Sequence, residues 1–116
     1  MSQSYSDKLP VVLVYTESGS HRVFFSELFR HQYYLLEVDS EKELLDKLYS
    51  MKILVSILDE KCFKDIAATL RKIKAEPSTK EMPVLIITNN LKRSHMQDLL
   101  TAGARSEEHT SELQSH

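Results

Sequence analysis

The residues with the clearest chemical potential are polar side chains at the ends of short apolar segments. Glu17 follows the first of these segments, Asp59 follows the third and Thr88 ends the fourth. A carboxylate can bind a hard cation or act as a nucleophile, and a hydroxyl can donate a hydrogen bond to an anion. In a doubly wound sheet, ligands bind beyond the carboxyl ends of the strands, which is where these residues are expected. An alternative role for Asp59 is that of an acid capping the helix after it.

Other patterns in the chain do not match reactive motifs. The segment 16–20, Thr-Glu-Ser-Gly-Ser, has one glycine and no Gly-Lys-Ser/Thr, so it is neither a P-loop nor a dinucleotide-binding fingerprint. Three histidines lie before residue 100: His21, His31 and His95. They have no metal-ligand spacing with one another or with Cys62, and we expect them to be surface or boundary residues. Cys62 is the single cysteine, which excludes an intramolecular disulfide.

Four short apolar runs alternate with amphipathic segments. The predicted strands are Val11–Tyr15, Tyr34–Val38, 53–58 and 84–88. The first, third and fourth are almost entirely aliphatic, which is typical of strands covered on both faces, whereas Glu37 interrupts the second and favours an edge position. Strict alternation of strands and helices predicts right-handed crossovers and a doubly wound parallel α/β sheet.

The connecting segments have the period of amphipathic helices. We predict four helices. The first runs from residue 20 to about residue 31, and the second begins at a capping box of Ser40 and Glu43. The third runs from the region of residue 63 to about residue 75, and the fourth from residue 92 or 94 to a left-handed cap at Gly103. The predicted inward-facing residues are Phe24, Phe25, Leu28 and Phe29, then Leu44, Leu45, Leu48 and Tyr49, then Phe63, Ile66, Ala67, Leu70 and Ile73, and finally Met96, Leu99 and Leu100.

The composition is that of one globular domain. The chain has 116 residues, of which 41% are apolar and 28% charged. Its net charge of −2 comes from the segment 105–116, which has three glutamates and one arginine. No basic cluster marks a nucleic-acid surface, and no apolar run approaches the roughly 18 residues of a membrane span. We therefore expect a cytoplasmic protein whose domain contacts neither nucleic acid nor a membrane.

The order of the elements and two late segments resemble the receiver domain of bacterial response regulators. These segments are Pro83-Val84-Leu85-Ile86-Ile87-Thr88 and Leu99-Leu100-Thr101-Ala102-Gly103-Ala104. The resemblance covers residues 10–104. It implies a flavodoxin-like, CheY-like fold in which four of five β-α units are present and the last strand and helix are missing.

The resemblance divides the chain into three parts. Residues 1–9 are a polar leader, residues 10–104 a truncated receiver-like domain, and residues 105–116 a non-native tail. From Arg105 to Ser115 the tail matches one reading frame of a short-read sequencing adaptor, and its one apolar residue is Leu113. We expect the output domain of such a regulator to lie beyond Ala104.

The resemblance also implies a site. Receivers hold Mg²⁺ with an acidic pair after the first strand and accept a phosphoryl group on an aspartate after the third. Tyr15 and Thr16 stand where the acidic pair belongs, so we expect Mg²⁺ affinity to be mostly lost. The remaining metal-ligand candidates are Glu17 and Asp59. Asp59 is also the candidate phospho-acceptor, although gap-free counting from the third helix places Leu58 there.

Three hypotheses about function follow from these residues. Thr88 matches the position of the receiver's switch hydroxyl, and the receiver's lysine falls beyond Ala104. The leading hypothesis is a degenerate receiver, which is not an enzyme and signals by protein interaction. One alternative is a true receiver that takes a phosphoryl group from a histidine kinase on Asp59, with a reduced site of Glu17 and Glu60. Another is a small flavodoxin-like protein that binds a phosphate-bearing cofactor.

The resemblance implies partners as well. A histidine kinase or another signalling protein is expected to dock on the face that includes the fourth helix, residues 91–101, and a homodimer through that face is an alternative. Lys92 and Arg93 are candidate contacts there. A solvated helix start explains these two residues equally well.

Overall fold

The computed structural model of the chain describes residues 9–104. Strands and helices alternate in it: β1 (Val11–Tyr15), α1 (Gly19–Phe29), β2 (Tyr34–Val38), α2 (Glu41–Ser50), β3 (Val55–Asp59), α3 (Ile66–Ala75), β4 (Val84–Ile87) and α4 (Arg93–Ala102). A short 3-10 turn, Glu60–Cys62, follows β3. Residues 1–8 of the predicted leader and all of the predicted tail lie outside the described residues.

The four strands form one parallel sheet in the order β2-β1-β3-β4. This confirms the predicted doubly wound fold and the predicted edge position of β2. The pairs Tyr15–Leu58 and Asp59–Ile87 bring the carboxyl ends of β1, β3 and β4 to one edge of the sheet. The sheet register therefore places the polar residues that follow these strands near one another.

Two strands have bounds that differ from the prediction. β3 begins at Val55 rather than at residue 53, because the chain bends at Leu54 before it joins the sheet. It continues through Asp59, whose backbone still pairs with β4. β4 ends at Ile87, and Thr88 is the first residue of the following loop.

The core has two parts, one on each face of the sheet. The larger part packs β-strand side chains such as Leu13 and Leu58 against α2, α3 and α4. The smaller part consists of Val12, Val14 and Ile57, with Phe25 and Phe29 of α1 packed against it. Each fully buried aliphatic side chain contributes about 1.5–3 kcal/mol, so most of the stabilising free energy lies on the three-helix face.

Side-chain oxygens that accept hydrogen bonds from backbone N–H groups define where three of the helices begin. Ser18 accepts from the N–H of His21 at 3.2 Å to open α1. The predicted Ser40 cap of α2 is confirmed, because Ser40 accepts from the Glu43 N–H at 3.0 Å. Glu43 reaches back as predicted, but it accepts from the N–H of Asp39 at 2.9 Å, one residue before the cap. Asp65 caps α3 through the Ala68 N–H.

Two further predictions about helix ends are settled by these contacts. The suggestion that Asp59 caps the third helix is wrong, because Asp65 does so and Asp59 instead caps the 3-10 turn. The predicted left-handed cap at Gly103 is confirmed, with φ of 124° and its N–H bonded to the carbonyls of Leu99 and Leu100. Glycine suits this position because other residues are strained at positive φ.

Some predicted inward-facing residues are exposed. Phe24 and Leu28 of α1 are 57% and 58% exposed, and Tyr49 of α2 and Met96 of α4 are 44% and 40% exposed. None of the four belongs to either core cluster. Phe63 precedes α3 rather than belonging to it, but it packs against the core. The periodicity of a sequence shows which side of a helix is apolar. It does not show how much of that side is covered by the sheet in the folded chain.

Candidate functional site

A pocket of about 450 Å³ lies beyond the carboxyl ends of β1, β3 and β4. It brings together the predicted site residues Glu17, Asp59 and Thr88 with the adjoining Glu60. The complete lining is Glu17, Ser18, His21, Asp59, Glu60, Lys61, Ile87, Thr88, Asn89 and Asn90. Its position is the one that a parallel sheet with strand order reversing at β1 predicts for a ligand site.

The two residues that end β1 and follow it, Tyr15 and Thr16, are both buried. Tyr15 packs its ring edge-on against Phe63, with ring centroids 5.2 Å apart, and belongs to the core. Burial raises the pKa of the Tyr15 phenol, with smaller contributions from nearby anionic groups, so the phenol is neutral at physiological pH. Thr16 is fully buried, and its hydroxyl faces the end of β3.

Asp59 lies at the pocket wall and is only 5% exposed. Its Oδ2 accepts a 2.7 Å hydrogen bond from the Thr16 hydroxyl, and its Oδ1 accepts from the Lys61 N–H at 3.1 Å. The same Thr16 oxygen accepts from the Ser18 N–H at 3.1 Å. Gap-free counting pointed to Leu58, but Leu58 is fully buried in the core, because successive strand residues face opposite sides. Of these two residues, Asp59 is the one that lines the pocket.

His21 approaches Asp59 from the first turn of α1. Its Nδ1 is 3.9 Å from Asp59 Oδ2, and this nitrogen is buried with no hydrogen-bond partner among the described residues. At that separation the imidazole stabilises the carboxylate electrostatically when it is protonated, without a direct hydrogen bond. Sequence spacing alone did not indicate this proximity, which arises because α1 begins at the edge where β3 ends.

Glu60 forms a second cluster on the other side of the pocket. The Thr88 hydroxyl donates to Glu60 Oε1 at 2.6 Å, and the Thr88 oxygen accepts from the Asn90 N–H at 2.9 Å. His95 Nε2 lies 2.8 Å from Glu60 Oε2. Partial burial alone raises the pKa of Glu60, but the hydrogen bonds from Thr88 and His95 outweigh it and lower the pKa below its usual value.

The prediction missed the role of His95. His95 is half-buried, which agrees with the expected surface or boundary position, but its contact with Glu60 from the first turn of α4 was not anticipated. A signal was present in the topology, because α4 follows β4 and must begin at the same edge of the sheet as Glu60. The contact itself depends on side-chain geometry across 35 residues and could not be derived from spacing.

The donor set of the pocket does not fit Mg²⁺. This ion needs close to octahedral coordination by oxygen ligands, usually including one or two carboxylates that are free to bind it. Both Asp59 oxygens already accept hydrogen bonds from the chain, and so do both Glu60 oxygens. Glu17, the other predicted metal ligand, is exposed at the pocket mouth. Tyr15 contributes a buried phenol and Thr16 a hydroxyl directed at Asp59.

Comparison with solved structures identifies the fold. The chain is similar to the chemotaxis response regulator CheY4 of Vibrio cholerae, with 21% identity and a TM-score of 0.73 over 84% of this chain and 82% of that one. It is also similar to a putative response regulator from Chloroflexus aurantiacus, with 21% identity and a TM-score of 0.74 over 84% of this chain and 82% of that one. The phosphorylated cyanobacterial phytochrome response regulator RcpA has 14% identity and a TM-score of 0.74 over 84% of this chain and 77% of its own. No protein-family model and no curated protein sequence matches the chain. At these identities the likeness establishes the CheY-like receiver fold.

Within residues 9–104, no helix has the length and apolar character needed to cross a membrane.

Proposed function

We propose that this chain is a receiver-like signal-transduction module of a bacterial two-component regulator, and that it acts by protein interaction rather than by phosphorylation. The observation that carries the proposal is the buried hydrogen bond from Thr16 to Asp59. It occupies the place where receivers, by resemblance, have a carboxylate that holds Mg²⁺. The fold supports the receiver-like module, and this substitution supports its degenerate form.

The proposal has a physical basis in phosphoryl transfer. Negative charge spreads over the transferred phosphoryl oxygens, and metal ions neutralise it in most enzymes and acceptors of this chemistry. Here Tyr15 is a neutral phenol, and the Asp59 oxygens are shielded by Thr16 and the Lys61 N–H. The pocket also has Glu17 and Glu60, which repel an incoming phosphoryl donor. The groups that bond Asp59 directly are therefore neutral donors, which supports the degenerate form.

A phosphoryl-donor experiment tests the proposal. The full chain and its Asp59→Asn variant are incubated with acetyl phosphate and Mg²⁺, and intact masses are measured; a beryllofluoride titration followed by NMR runs in parallel. We expect no adduct in either protein and no Mg²⁺-dependent shift at Asp59. A Mg²⁺-dependent adduct that disappears in Asp59→Asn would overturn the proposal and establish the alternative of a true receiver served by a histidine kinase.

The interaction surface that we propose is the exposed side of α4 and the loop before it. Leu91 is 73% exposed, and Met96 adds a second apolar side chain; Lys92 and Arg93 lie exposed between them. A surface that combines exposed apolar and positively charged side chains suits an acidic patch on a histidine kinase or another cytoplasmic signalling protein. In a homodimer the same surface would face its own copy, with like charges close together, so the heterologous partner is favoured.

The flavodoxin-like alternative receives no support from the pocket. A phosphate-bearing cofactor needs backbone N–H groups or cationic side chains directed at its phosphate. The pocket instead collects three carboxylates, Glu17, Asp59 and Glu60, against the single ammonium of Lys61. We therefore propose neither a bound cofactor nor an enzymatic activity for this module.

A further inference from the structure

Three separate parts of the chain meet at the carboxylate of Glu60. Glu60 itself belongs to the 3-10 turn after β3, Thr88 to the loop after β4, and His95 to the first turn of α4. Glu60 is 28 and 35 residues from its two partners, and each contact has the short distance of a charge-assisted hydrogen bond. The cluster therefore joins the pocket to the helix that bears the proposed interaction surface.

The Glu60 cluster is independent of Asp59 in its hydrogen bonding. Asp59 takes its two donors from Thr16 and the Lys61 backbone, on the side of β1 and the turn. Glu60 takes its donors from Thr88 and His95, on the side of β4 and α4. Thr88, at the switch position, is thus already bonded to an anion of the chain itself.

The start of α4 depends on contacts from outside the helix. Serine or aspartate side chains cap α1, α2 and α3, whereas Lys92 at the start of α4 forms no side-chain cap hydrogen bond. The Asn90 side chain accepts from the Lys92 N–H at 3.1 Å, and His95 anchors the first turn to Glu60. A helix end without a cap frays readily, so these two contacts must supply the missing constraint.

We propose that Glu60 is a built-in anionic latch, whose carboxylate holds Thr88 and His95 and thereby fixes the loop 88–92 and the first turn of α4 on the rim of the pocket. The latch needs no added phosphoryl group, because the anion is part of the chain. This inference rests on the proposed function, because the latch affects signalling only if a partner binds the α4 surface. A partner that binds the α4 surface would then meet a conformation that is set by Glu60 and not by the state of Asp59.

Amide hydrogen exchange of the full chain tests the latch directly. The variants are Glu60→Ala, Glu60→Gln and His95→Gln, with Glu17→Ala as the matched control, since Glu17 is another pocket glutamate but is exposed. We expect exchange in residues 88–96 to rise at least about tenfold in Glu60→Ala, as loss of one charge-assisted hydrogen bond implies, with a smaller rise in Glu60→Gln. Exchange in α2 and α3 should change less than twofold in every variant.

A double variant separates a shared latch from two unrelated contacts. If His95 acts through Glu60, the double variant Glu60→Ala/His95→Gln should exchange no faster in α4 than Glu60→Ala alone. Additive effects, or rates within twofold of the Glu17→Ala control, would overturn the proposal. If Glu60→Ala does not fold, Glu60→Gln and His95→Gln answer the same question, and the imidazole ¹⁵N shifts of His95 report its contact in the unaltered chain.

The outcome is distinguishable from failure of the proposed function. The exchange experiment uses neither phosphoryl donor nor partner, so its result depends on the latch alone. Mg²⁺-dependent modification of Asp59 would refute the degenerate receiver but leave a measured latch intact. Exchange rates that do not change in the Glu60 variants would refute the latch. They would leave the degenerate receiver standing, because that proposal is tested by the absence of modification at Asp59.

Discussion

Removal of the Thr16 hydroxyl is the most direct perturbation of the pocket. Thr16→Val keeps the shape of the side chain and deletes only the group that bonds Asp59. It leaves Asp59 with the Lys61 N–H at 3.1 Å and with His21 at 3.9 Å, which is too far for a hydrogen bond. Because Asp59 is 5% exposed, water cannot readily replace the lost donor.

The expected loss follows from the two hydrogen bonds of this hydroxyl. The bond to the Asp59 carboxylate is charge-assisted and is worth about 1.5–3 kcal/mol, and the bond accepted from the Ser18 N–H adds about 0.5–1.5 kcal/mol. Allowing for partial compensation, we expect Thr16→Val to lower the free energy of unfolding by about 2–4 kcal/mol. That is a large fraction of the roughly 5–15 kcal/mol of a typical domain.

The measurement is urea unfolding followed by far-UV circular dichroism, with Thr79→Val as the control. Thr79 is similarly buried, but its hydroxyl donates at 2.6 Å to the neutral carbonyl of Ile73, so we expect a loss of only about 0.5–1.5 kcal/mol. The difference between Thr16→Val and wild type should also shrink in an Asp59→Asn background. Equal losses at the two threonines, or a Thr16→Val loss below about 0.5 kcal/mol, would refute the assignment of Asp59 as a buried anion stabilised by Thr16.

Three other predictions concern the metal, pH and self-association. Thr16→Asp places a second carboxylate against Asp59, so we expect this variant to be less stable than wild type in EDTA. Mg²⁺ at 100 times its Kd for the variant should raise the variant's free energy of unfolding by about 2–3 kcal/mol. An equal response of wild type to the same Mg²⁺ concentration would contradict the proposed loss of the metal site. Because the pKa of Glu60 is lower in the folded protein than its ordinary value of 4.5, ionised Glu60 stabilises the fold fully at pH values above 4.5. This contribution is lost as the pH falls through the pKa of the folded state. The stability difference between wild type and Glu60→Gln in thermal unfolding should therefore narrow at acid pH, and a constant difference would contradict it. Leu28→Lys on the exposed flank of α1 should reduce concentration-dependent light scattering relative to wild type, whereas Ser26→Lys, an exposed polar control on the same helix, should not.

The sequence was sufficient for the order and direction of the strands because they are short, mainly apolar runs that alternate with helices. β1 and β2 have the predicted bounds, and the parallel alternation predicted which strand ends would converge. The convergence of Asp59 and Thr88 at one pocket follows from the same rule. What could not be predicted is the choice of partner within the pocket. Asp59 and Glu60 are adjacent in sequence, and only the side-chain directions of the folded chain decide which of them Thr88 contacts.

The exposed residues of α1 show another limit of prediction from periodicity. Phe24, Phe25, Leu28 and Phe29 form one apolar stripe in the sequence, and no helical pattern distinguishes its centre from its flank. Phe25 and Phe29 contact the sheet, whereas Phe24 and Leu28 do not. Burial depends on what lies opposite, and among residues 9–104 α1 is the only helix packed on its face of the sheet.

The separate partners of Asp59 and Glu60 explain how the pocket holds two neighbouring carboxylates. Burying a carboxylate is costly unless donors replace its hydration, and two adjacent anions add repulsion. Thr16 and the Lys61 N–H serve Asp59, while Thr88 and His95 serve Glu60. A carboxylate in place of Thr16 would remove one donor and add a charge, and a metal would then be needed to offset it. Because the donors come from the chain, the pocket is complete in the unmodified protein. The proposed signalling role therefore depends on the elements that these donors connect, among which α4 and the loop before it have exposed apolar side chains.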